Sequence, residues 1–243
     1  MDTIIHNLQH VQARIDKACQ AVGRDPKEVK LLLATKTVNP ERIQQAFAAG
    51  YTLIAENKVQ ELKEKYEALK ATPHTNHFIG HLQTNKIKDI LKYDVSCVES
   101  LDRYDLAEKL HQKLSQAGRE MDVFIQVNTS GEESKFGVAP EEALALTQQV
   151  AQLPTLHIRG LMTIGLFSAE EDKVRKCFQL LKSIQQQIFA LNLPDVQPYE
   201  LSMGMSGDLE VAIAEGATIV RVGTAIFGQR IYPDSYYWNE QKA

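Results

Sequence analysis

The feature that most restricts the fold of this chain is a repeated alternation between a short apolar, β-branched run and a longer segment of helical periodicity. Eight such runs occur along the sequence, at residues 29–36, 52–57, 77–80, 94–100, 122–128, 156–165, 199–204 and 218–224. Because a helix follows each strand, neighbouring strands are expected to pair in parallel. Eight strand–helix units in about 200 residues predict an α/β fold closed into a (β/α)8 TIM barrel, since an open doubly wound sheet usually has about five or six strands.

An extra amphipathic helix is predicted ahead of the barrel, and Gly23 and Pro26 end it. Its apolar positions are Ile5, Leu8, Val11, Ile15, Ala18 and Val22. The clearest later helix follows the acidic residues 170–172 and has an apolar stripe of Val174, Cys177, Phe178, Leu181, Ile184 and Ile188. Because no linker separates the elements, we expect a single domain over residues 1–243, with the barrel proper at about 29–228.

Composition narrows the possible functions. The 243 residues carry a formal net charge of -4, which provides no basic surface for nucleic acid. The N-terminus has neither the basic start nor the apolar run of a signal peptide, and no stretch approaches the roughly 18 apolar residues of a membrane span. The three cysteines are odd in number and lack metal-ligand spacing, so we expect a cytoplasmic protein with no disulfide framework and no metal.

Lys36 ends the first predicted strand and is the first candidate for chemistry. Leu32, Ala34 and Lys36 share one face by the two-residue period of a strand. On the inward face the lysine would be partly desolvated, which lowers the pKa of an amine and favours the neutral form that attacks an aldehyde to give a Schiff base. The alternative is a lysine that simply reaches solvent at the end of the strand.

Two loops are candidates for phosphate binding, because phosphate in such barrels often binds to the loops after the seventh and eighth strands. The loop SMGMSGD brings Ser202, Ser206 and backbone amides to the start of a helix. The eighth strand ends at Gly223 and Thr224, which offer more amides and one hydroxyl. The alternative for the first loop is ordinary helix capping by a serine or Asp208.

Arg221 lies between two valines in an otherwise apolar strand and shares the parity of Gly223. We therefore expect it to point inward at the phosphate end of the barrel, where a buried guanidinium needs a specific partner. That partner is either a ligand or a carboxylate such as Glu200 or Glu215.

Two further loop residues are expected on the same face of the barrel. Asn57 follows the second strand and His81 follows the third. Each has a side chain that can contact a bound cofactor, and each has the alternative of capping the next helix.

The combination of these segments is far more specific than any one of them. The segments ATK, EN..QE, FIGHLQ.NK, SMGMSGD and VR.GTAIFG, at strands one, two, three, seven and eight, resemble the YggS/PROSC family of pyridoxal phosphate homeostasis proteins. The similarity runs from the first helix through IFG near residue 228. The resemblance implies a fold type III barrel, like the barrel half of alanine racemase standing alone, with pyridoxal 5′-phosphate (PLP) as cofactor.

The resemblance also implies roles for individual residues. PLP contacts fall on Lys36 as the Schiff base, Asn57 and Arg221 at the ring, Ser206, Gly223 and Thr224 at the phosphate, and Met203 beside the ring. His81 and Ser202 complete the candidate cofactor-binding residues. An arginine facing the pyridine nitrogen would hold it unprotonated and so make the ring a weaker electron sink.

Three positions add detail to the resemblance. Ala55 stands where the family more often has glycine, which leaves the backbone path before Asn57 less defined. Lys135, after the fifth strand, either accepts the aldehyde in transit or is a solvated surface lysine. The tail after Gly228 is less similar to the family and has no assigned role.

The expected function is binding and controlled release of PLP, affecting amino acid and keto acid balance, by a protein that is not an enzyme. Racemisation needs a base on each face of the substrate, and in racemases with this barrel a tyrosine comes from a second domain for which this chain has no room. The alternatives are a PLP-dependent amino acid racemase of low activity and a Schiff-base aldolase. The expected partners are PLP and apo-enzymes that use it, and the expected oligomeric state is a monomer.

Overall fold

The computed structural model describes residues 3–194, 196 and 199–229, and residues 230–243 of the C-terminal tail therefore lie outside the described part. Eight parallel strands form a closed barrel in chain order, and β1 pairs with both β2 and β8. The strands are β1 Lys30–Ala34, β2 Leu53–Glu56, β3 Thr75–Phe78, β4 Cys97–Leu101, β5 Met121–Gln126, β6 Leu156–Met162, β7 Glu200–Ser202 and β8 Ile219–Val222. Each lies within or overlaps a predicted run, which confirms the predicted barrel.

Helices surround the barrel. They are α1 Thr3–Ala21, α2 Pro40–Ala48, α3 Val59–Leu69, α4 Ile87–Lys92, α5 Tyr104–Ala117, α6 Ala143–Val150, α7 Glu171–Ala190, α8 Leu209–Ala214 and α9 Thr224–Phe227. Every residue of the predicted apolar stripe of α7 is buried. Because all eight strands are parallel, their carboxyl ends lie at the same rim of the barrel, where loops lead into the helices.

The N-terminal helix is confirmed, but its buried face differs from the predicted one. Ile5 and Val22 are 37% and 43% exposed, while Ile4 and Cys19 are buried in their place. Each residue turns a helix by about 100°, so Ile4 continues the row of Leu8, whereas Ile5 lies on its edge. Val22 lies just beyond the end of the helix at Ala21.

The two-residue alternation of the strands separates two apolar layers. One layer fills the barrel interior and consists of Leu32, Ala55, Cys97, Phe124, Met162 and Ile219. Residues of the opposite parity, such as Leu33 and Val220, pack between the sheet and the helices. Because Ile219 points inward, Arg221, two residues later on β8, points inward as well.

Two findings bear on the expected environment. Among the described helices, none combines the length and the apolar character that crossing a membrane requires. Cys19, Cys97 and Cys177 are buried and form no disulfide.

Candidate functional site

A pocket that is partly open to solvent lies at the carboxyl ends of the strands. It is lined by Lys36, Asn57, Ile79, Gly80, His81, Gln126, Phe136, Met162, Ile164, Met205 and Arg221. Four of the candidate residues from four different strand ends therefore meet at one place. Lys36 lies two residues beyond β1 and is half-buried, so it is not a lysine in open solvent.

The base of the pocket contains a buried ionic network around Arg221. Its guanidinium, 5% exposed, donates to the Thr163 carbonyl at 2.7 Å and to the Ser202 hydroxyl at 2.9 Å. The Ser202 hydroxyl in turn donates to Glu99 Oε2 at 2.6 Å, and His77 Nδ1 lies 2.6 Å from Glu99 Oε1. The carboxylate partner of Arg221 is thus Glu99 on β4, acting through Ser202.

This network corrects two expectations. Ser202 is fully buried and its one hydroxyl proton is directed to Glu99, so the hydroxyl is not a donor to phosphate. Glu200 and Glu215, suggested as partners of Arg221, pair instead with Lys30 and Arg175. Ser202 is the last residue of β7, opposite the inward Met162, and is not part of the loop, whereas Glu200 lies two residues nearer the amino end of β7, away from Arg221.

The network keeps its carboxylate charged. Burial tends to raise the pKa of Glu99, but the hydrogen bond and charge of His77, the charge of Arg221 and the Ser202 hydroxyl outweigh it, and the net pKa is below its usual value. Burial lowers the pKa of Arg221, and the charges of Glu99 and Asp208 oppose that change. Because the pKa of Glu99 is depressed in the fold, its contribution to stability is present above the ordinary glutamate pKa and is lost as pH falls through the folded value.

The side of the pocket at β2 and β3 is fixed by a close backbone contact. A Cβ added at Gly80 would lie 1.9 Å from the carbonyl oxygen of Asn57, so only glycine fits there. The Asn57 side chain lines the pocket, and its buried Oδ1 has no hydrogen-bond partner among the described residues. A ligand hydroxyl on this side would satisfy a buried acceptor that is otherwise costly.

One wall of the pocket is aromatic. His81 stacks on Phe136, with ring centroids 4.0 Å apart and an interplanar angle of 16°, and its Nδ1 is 3.9 Å from Asp102 Oδ2. Phe136 is a residue that the sequence analysis missed, although it adjoins Lys135 in the loop after β5. Lys135 itself donates to the Gly165 carbonyl at 2.7 Å and pairs with Glu132, so it is held in the loop and is not simply solvated.

The predicted phosphate turns approach each other at the mouth of the barrel. The Thr224 hydroxyl donates to Ser206 Oγ at 3.2 Å, and the backbone N–H of Ala225 donates to the same oxygen at 3.3 Å. Gly223 packs against β1, because a Cβ there would lie 2.9 Å from the Ala34 carbonyl oxygen. The turn after β8 is therefore beside the strand that leads to Lys36.

Met203, the methionine expected beside the ring, does not line the pocket. Met203 is fully buried in the layer between sheet and helices, whereas Met205 lines the pocket. Ser202 points inward, so its neighbour Met203 points outward by the strand alternation. Gly204, at φ 90°, then turns the chain so that Met205 faces the pocket.

Comparison with known proteins supports a family assignment. The family model of the alanine racemase N-terminal domain matches residues 1–231. A pyridoxal phosphate homeostasis protein of Aquifex aeolicus is 43% identical over 228 residues, 93% of this chain and 97% of that protein. Its counterpart in Pseudomonas aeruginosa is 44% identical over 233 residues, 96% of this chain and 98% of that protein.

Solved structures agree with this assignment. PipY of Synechococcus elongatus PCC7942, with PLP bound, superposes with a TM-score of 0.78 at 32% identity, over 88% of this chain and 100% of that one. Alanine racemase of Clostridium difficile 630 superposes with a TM-score of 0.75 at 13% identity, over 96% of this chain but 61% of that one, which is a likeness of fold alone. The chain therefore belongs to the alanine racemase N-terminal domain family and, within it, to the pyridoxal phosphate homeostasis proteins.

Proposed function

We propose that this protein binds PLP through a Schiff base on Lys36 and takes part in PLP homeostasis. The observation that carries the proposal is one pocket lined by Lys36, Asn57, Arg221 and Met205. The next residue after Met205 is Ser206, whose hydroxyl bonds Thr224. When bound, PLP supplies an aldehyde carbon that a neutral lysine amine attacks, and loss of water then gives the Schiff base. The names of the curated relatives and the PLP-bound state of PipY support the same cofactor.

The residues present fit the phosphate of this cofactor. Ser206 and Thr224 offer hydroxyls at the mouth of the barrel, and the turns after β7 and β8 add backbone N–H groups. Arg14 of α1 holds the turn after β7 in place, because it donates to the Ser206 carbonyl at 3.0 Å and forms two hydrogen bonds to Glu210. The N-terminal helix thus serves the site by holding the Ser206 loop.

The residues present also fit the pyridine ring. Asn57 Oδ1 offers an acceptor for the ring hydroxyl, and Arg221 offers N–H groups to the ring nitrogen. Arg221 never releases its proton, so we expect the nitrogen to stay unprotonated and the ring to withdraw electrons weakly. The stacked pair of His81 and Phe136 supplies an aromatic wall.

We propose that turnover of amino acids is slight or absent. The relatives are named as homeostasis proteins. Racemisation needs a base on each face of the substrate, and we expect this barrel to lack one of them. Chiral analysis after prolonged incubation with L-amino acids tests this expectation, and measurable D-isomer would overturn it.

The wider setting follows as part of the same proposal. We place the protein in the cytoplasm, as one PLP-binding domain and a monomer, passing PLP to apo-enzymes that use it. An elution volume in gel filtration that corresponds to a dimer would contradict the monomer.

The visible absorbance spectrum of the purified protein tests PLP binding directly. A Schiff base between PLP and lysine absorbs visible light, so we expect yellow protein that borohydride bleaches, with the reduced cofactor attached to Lys36 in a peptide map. Colourless protein that gains no visible band on addition of PLP would reject the proposal. It would favour the aldolase alternative, in which Lys36 attacks the substrate itself.

Ser206→Ala is expected to weaken PLP retention while leaving the protein coloured. Loss of one hydrogen bond to a charged phosphate oxygen costs about 1.5 kcal/mol, or roughly a tenfold rise in the dissociation constant measured by absorbance titration. Ser168→Ala is the matched control, because Ser168 accepts a hydrogen bond from the Glu170 N–H ahead of α7. Equal affinity in the Ser206→Ala and Ser168→Ala proteins would contradict the role of Ser206.

A further inference from the structure

A buried ionic cluster lies on the outer side of β2 and consists of Glu56, Glu61 and Lys65. Lys65 Nζ is 2.7 Å from Glu56 Oε1 and 2.7 Å from Glu61 Oε2. The three side chains are only 2%, 13% and 8% exposed in the order of their numbers. A buried ion pair is weak evidence for stability, because desolvation costs much of what the attraction returns. The contacts of this cluster indicate what else it does.

The cluster holds the peptide group that precedes Lys36. Lys65 Nζ donates to the Thr35 carbonyl oxygen at 2.8 Å. The Thr35 hydroxyl donates to Glu56 Oε1 at 2.6 Å, and its backbone N–H donates to the Ala55 carbonyl at 3.0 Å. Thr35 is therefore fixed through its carbonyl, its hydroxyl and its amide.

The cluster also holds the peptide group that follows Lys36. The backbone N–H of Thr37 donates to Glu61 Oε2 at 2.6 Å. Thr37 adopts φ 64°, a left-handed conformation that a β-branched residue rarely takes without support. Glu61 accepts from both Thr37 and Lys65, so one carboxylate ties the turn to the rest of the cluster.

These contacts fix the direction in which the Lys36 side chain leaves the backbone. The Thr35 carbonyl shares a planar peptide with the Lys36 nitrogen, and the Thr37 nitrogen shares the next planar peptide with the Lys36 carbonyl. When both planes flanking a Cα atom are anchored, the direction of its Cα–Cβ bond is set. Lys36 lies beyond the last residue of β1, so the strand ladder alone does not set this direction.

We propose that Glu56, Glu61 and Lys65 are positioning residues that aim Lys36 into the pocket from outside the barrel. The proposal rests on the function proposed above, in which the Lys36 amine binds PLP. Glu56 and Glu61 are the two acidic residues of the EN..QE segment, which runs from β2 into α3. The proposal therefore gives this segment a second role, besides the contact of Asn57 with the ring.

Lys65 is what allows two carboxylates to be buried together. The pKa of Glu56 is raised to about 7, chiefly by burial and further by the charge of Glu61, and the charge of Lys65 keeps it from rising more. Removing Lys65 would leave two buried carboxylates facing each other. A loss of PLP affinity in such a variant would then report misfolding rather than a changed direction of Lys36. Glu61→Ala is the sharper variant, because it removes the acceptor of Thr37 and leaves Lys65 paired with Glu56.

The experiment compares full-length wild type with Glu61→Ala by two readouts. Absorbance titration with PLP should show a dissociation constant about tenfold higher in the variant, the effect expected for one lost hydrogen bond to a charged group. Hydrogen exchange of the Thr37 amide, measured without PLP, should be at least roughly tenfold faster in the variant, because its bond to Glu61 is gone. Glu61→Gln keeps an acceptor for Thr37 and should recover most of the affinity.

Leu69→Ala is the matched control for a general weakening of α3. Leu69 is 3% exposed and belongs to the outer apolar core. We expect its replacement to lower the free energy of unfolding while the affinity for PLP stays within about twofold of wild type. If Glu61→Ala does not fold, the affinity of Glu61→Gln for PLP decides, with an expected loss of about threefold because the charge of the acceptor is gone. Affinity equal to that of wild type would then overturn the positioning role.

The outcomes distinguish the positioning role from the proposed function on which it rests. If wild type binds PLP and Glu61→Ala binds equally well, the positioning role is wrong and the proposed function stands. Equal losses in Leu69→Ala and Glu61→Ala would likewise overturn the positioning role. If wild type does not bind PLP, both proposals fail together.

Discussion

Lys36→Ala protein is expected to purify without colour and to gain no visible Schiff-base band when PLP is added. The variant keeps the pocket contributed by Asn57 and Arg221 but lacks the amine that forms the covalent bond. Borohydride treatment followed by a peptide map should find no reduced cofactor at residue 36. Phosphate contacts alone should leave only weak, non-covalent binding, which dialysis removes.

Two control variants isolate the covalent bond in this experiment. Lys36→Arg keeps the positive charge, but its guanidinium stays protonated and does not form a Schiff base with PLP, so this variant should also be colourless. Lys135→Ala removes the second lysine of the same barrel face, whose amine bonds Gly165, and should keep the full visible band. A strong band in Lys36→Ala that disappears on further replacement of Lys135 would move the Schiff base to Lys135 and reject the assignment.

Glu99→Ala should cause the largest loss of stability among single substitutions at the site. It leaves the buried Arg221 guanidinium without its carboxylate, and it removes the partner of both Ser202 and His77. Breaking a buried charge pair from one side costs about 3–5 kcal/mol, because the remaining charge stays buried and uncompensated. Urea unfolding followed by far-ultraviolet circular dichroism measures this change in the free energy of unfolding.

The chain offers a matched control for the Glu99 substitution. Glu120 also pairs with a histidine, His157, at 2.8 Å, but the Glu120 side chain is 66% exposed and that of His157 is 35% exposed. Glu120→Ala should therefore cost less than about 1 kcal/mol. Equal losses for Glu99→Ala and Glu120→Ala would contradict the view that burial makes the inner pair important.

A double variant can show whether the inner charges act together. In Glu99→Gln/Arg221→Met both charges are gone, so the loss should be smaller than the sum of the two single losses. Simple additivity would mean that Arg221 is compensated by some group other than Glu99.

The sequence predicted the strands and helices well because their signals are local. The two-residue period and the crossover helices are visible within short windows, and they led to the eight-stranded barrel. Parity also predicted that Arg221 points inward, which the cluster with Ile219 on the same face confirms. Lys36 was a candidate from its place after the first strand, but that place alone also allowed a lysine in solvent, and only the structure shows that it lines the pocket.

The errors at the site arose where an exact boundary or a distant partner mattered. Ser202 was assigned to the phosphate loop as well as to the seventh strand, but it pairs opposite Met162 as the last residue of β7, and its hydroxyl donates to Glu99. Met203, which follows the inward Ser202, points away from the pocket, and Met205, for which nothing was predicted, lines it. Glu99 had a signal that the sequence analysis did not use, since it shares the inward parity of Cys97 on β4.

The sequence by itself determined the barrel, its order of strands and the strand ends from which the site is built, because these follow from periodicity along the chain. Only the tertiary structure decided which groups satisfy one another: Arg221 with Ser202 and Glu99, and the turn around Lys36 with α3. Such partners are far apart in sequence, and the residues around a charged group or a hydroxyl do not indicate which distant group will bond to it. Their pairing is fixed by burial, where an unpartnered polar group is too costly to leave.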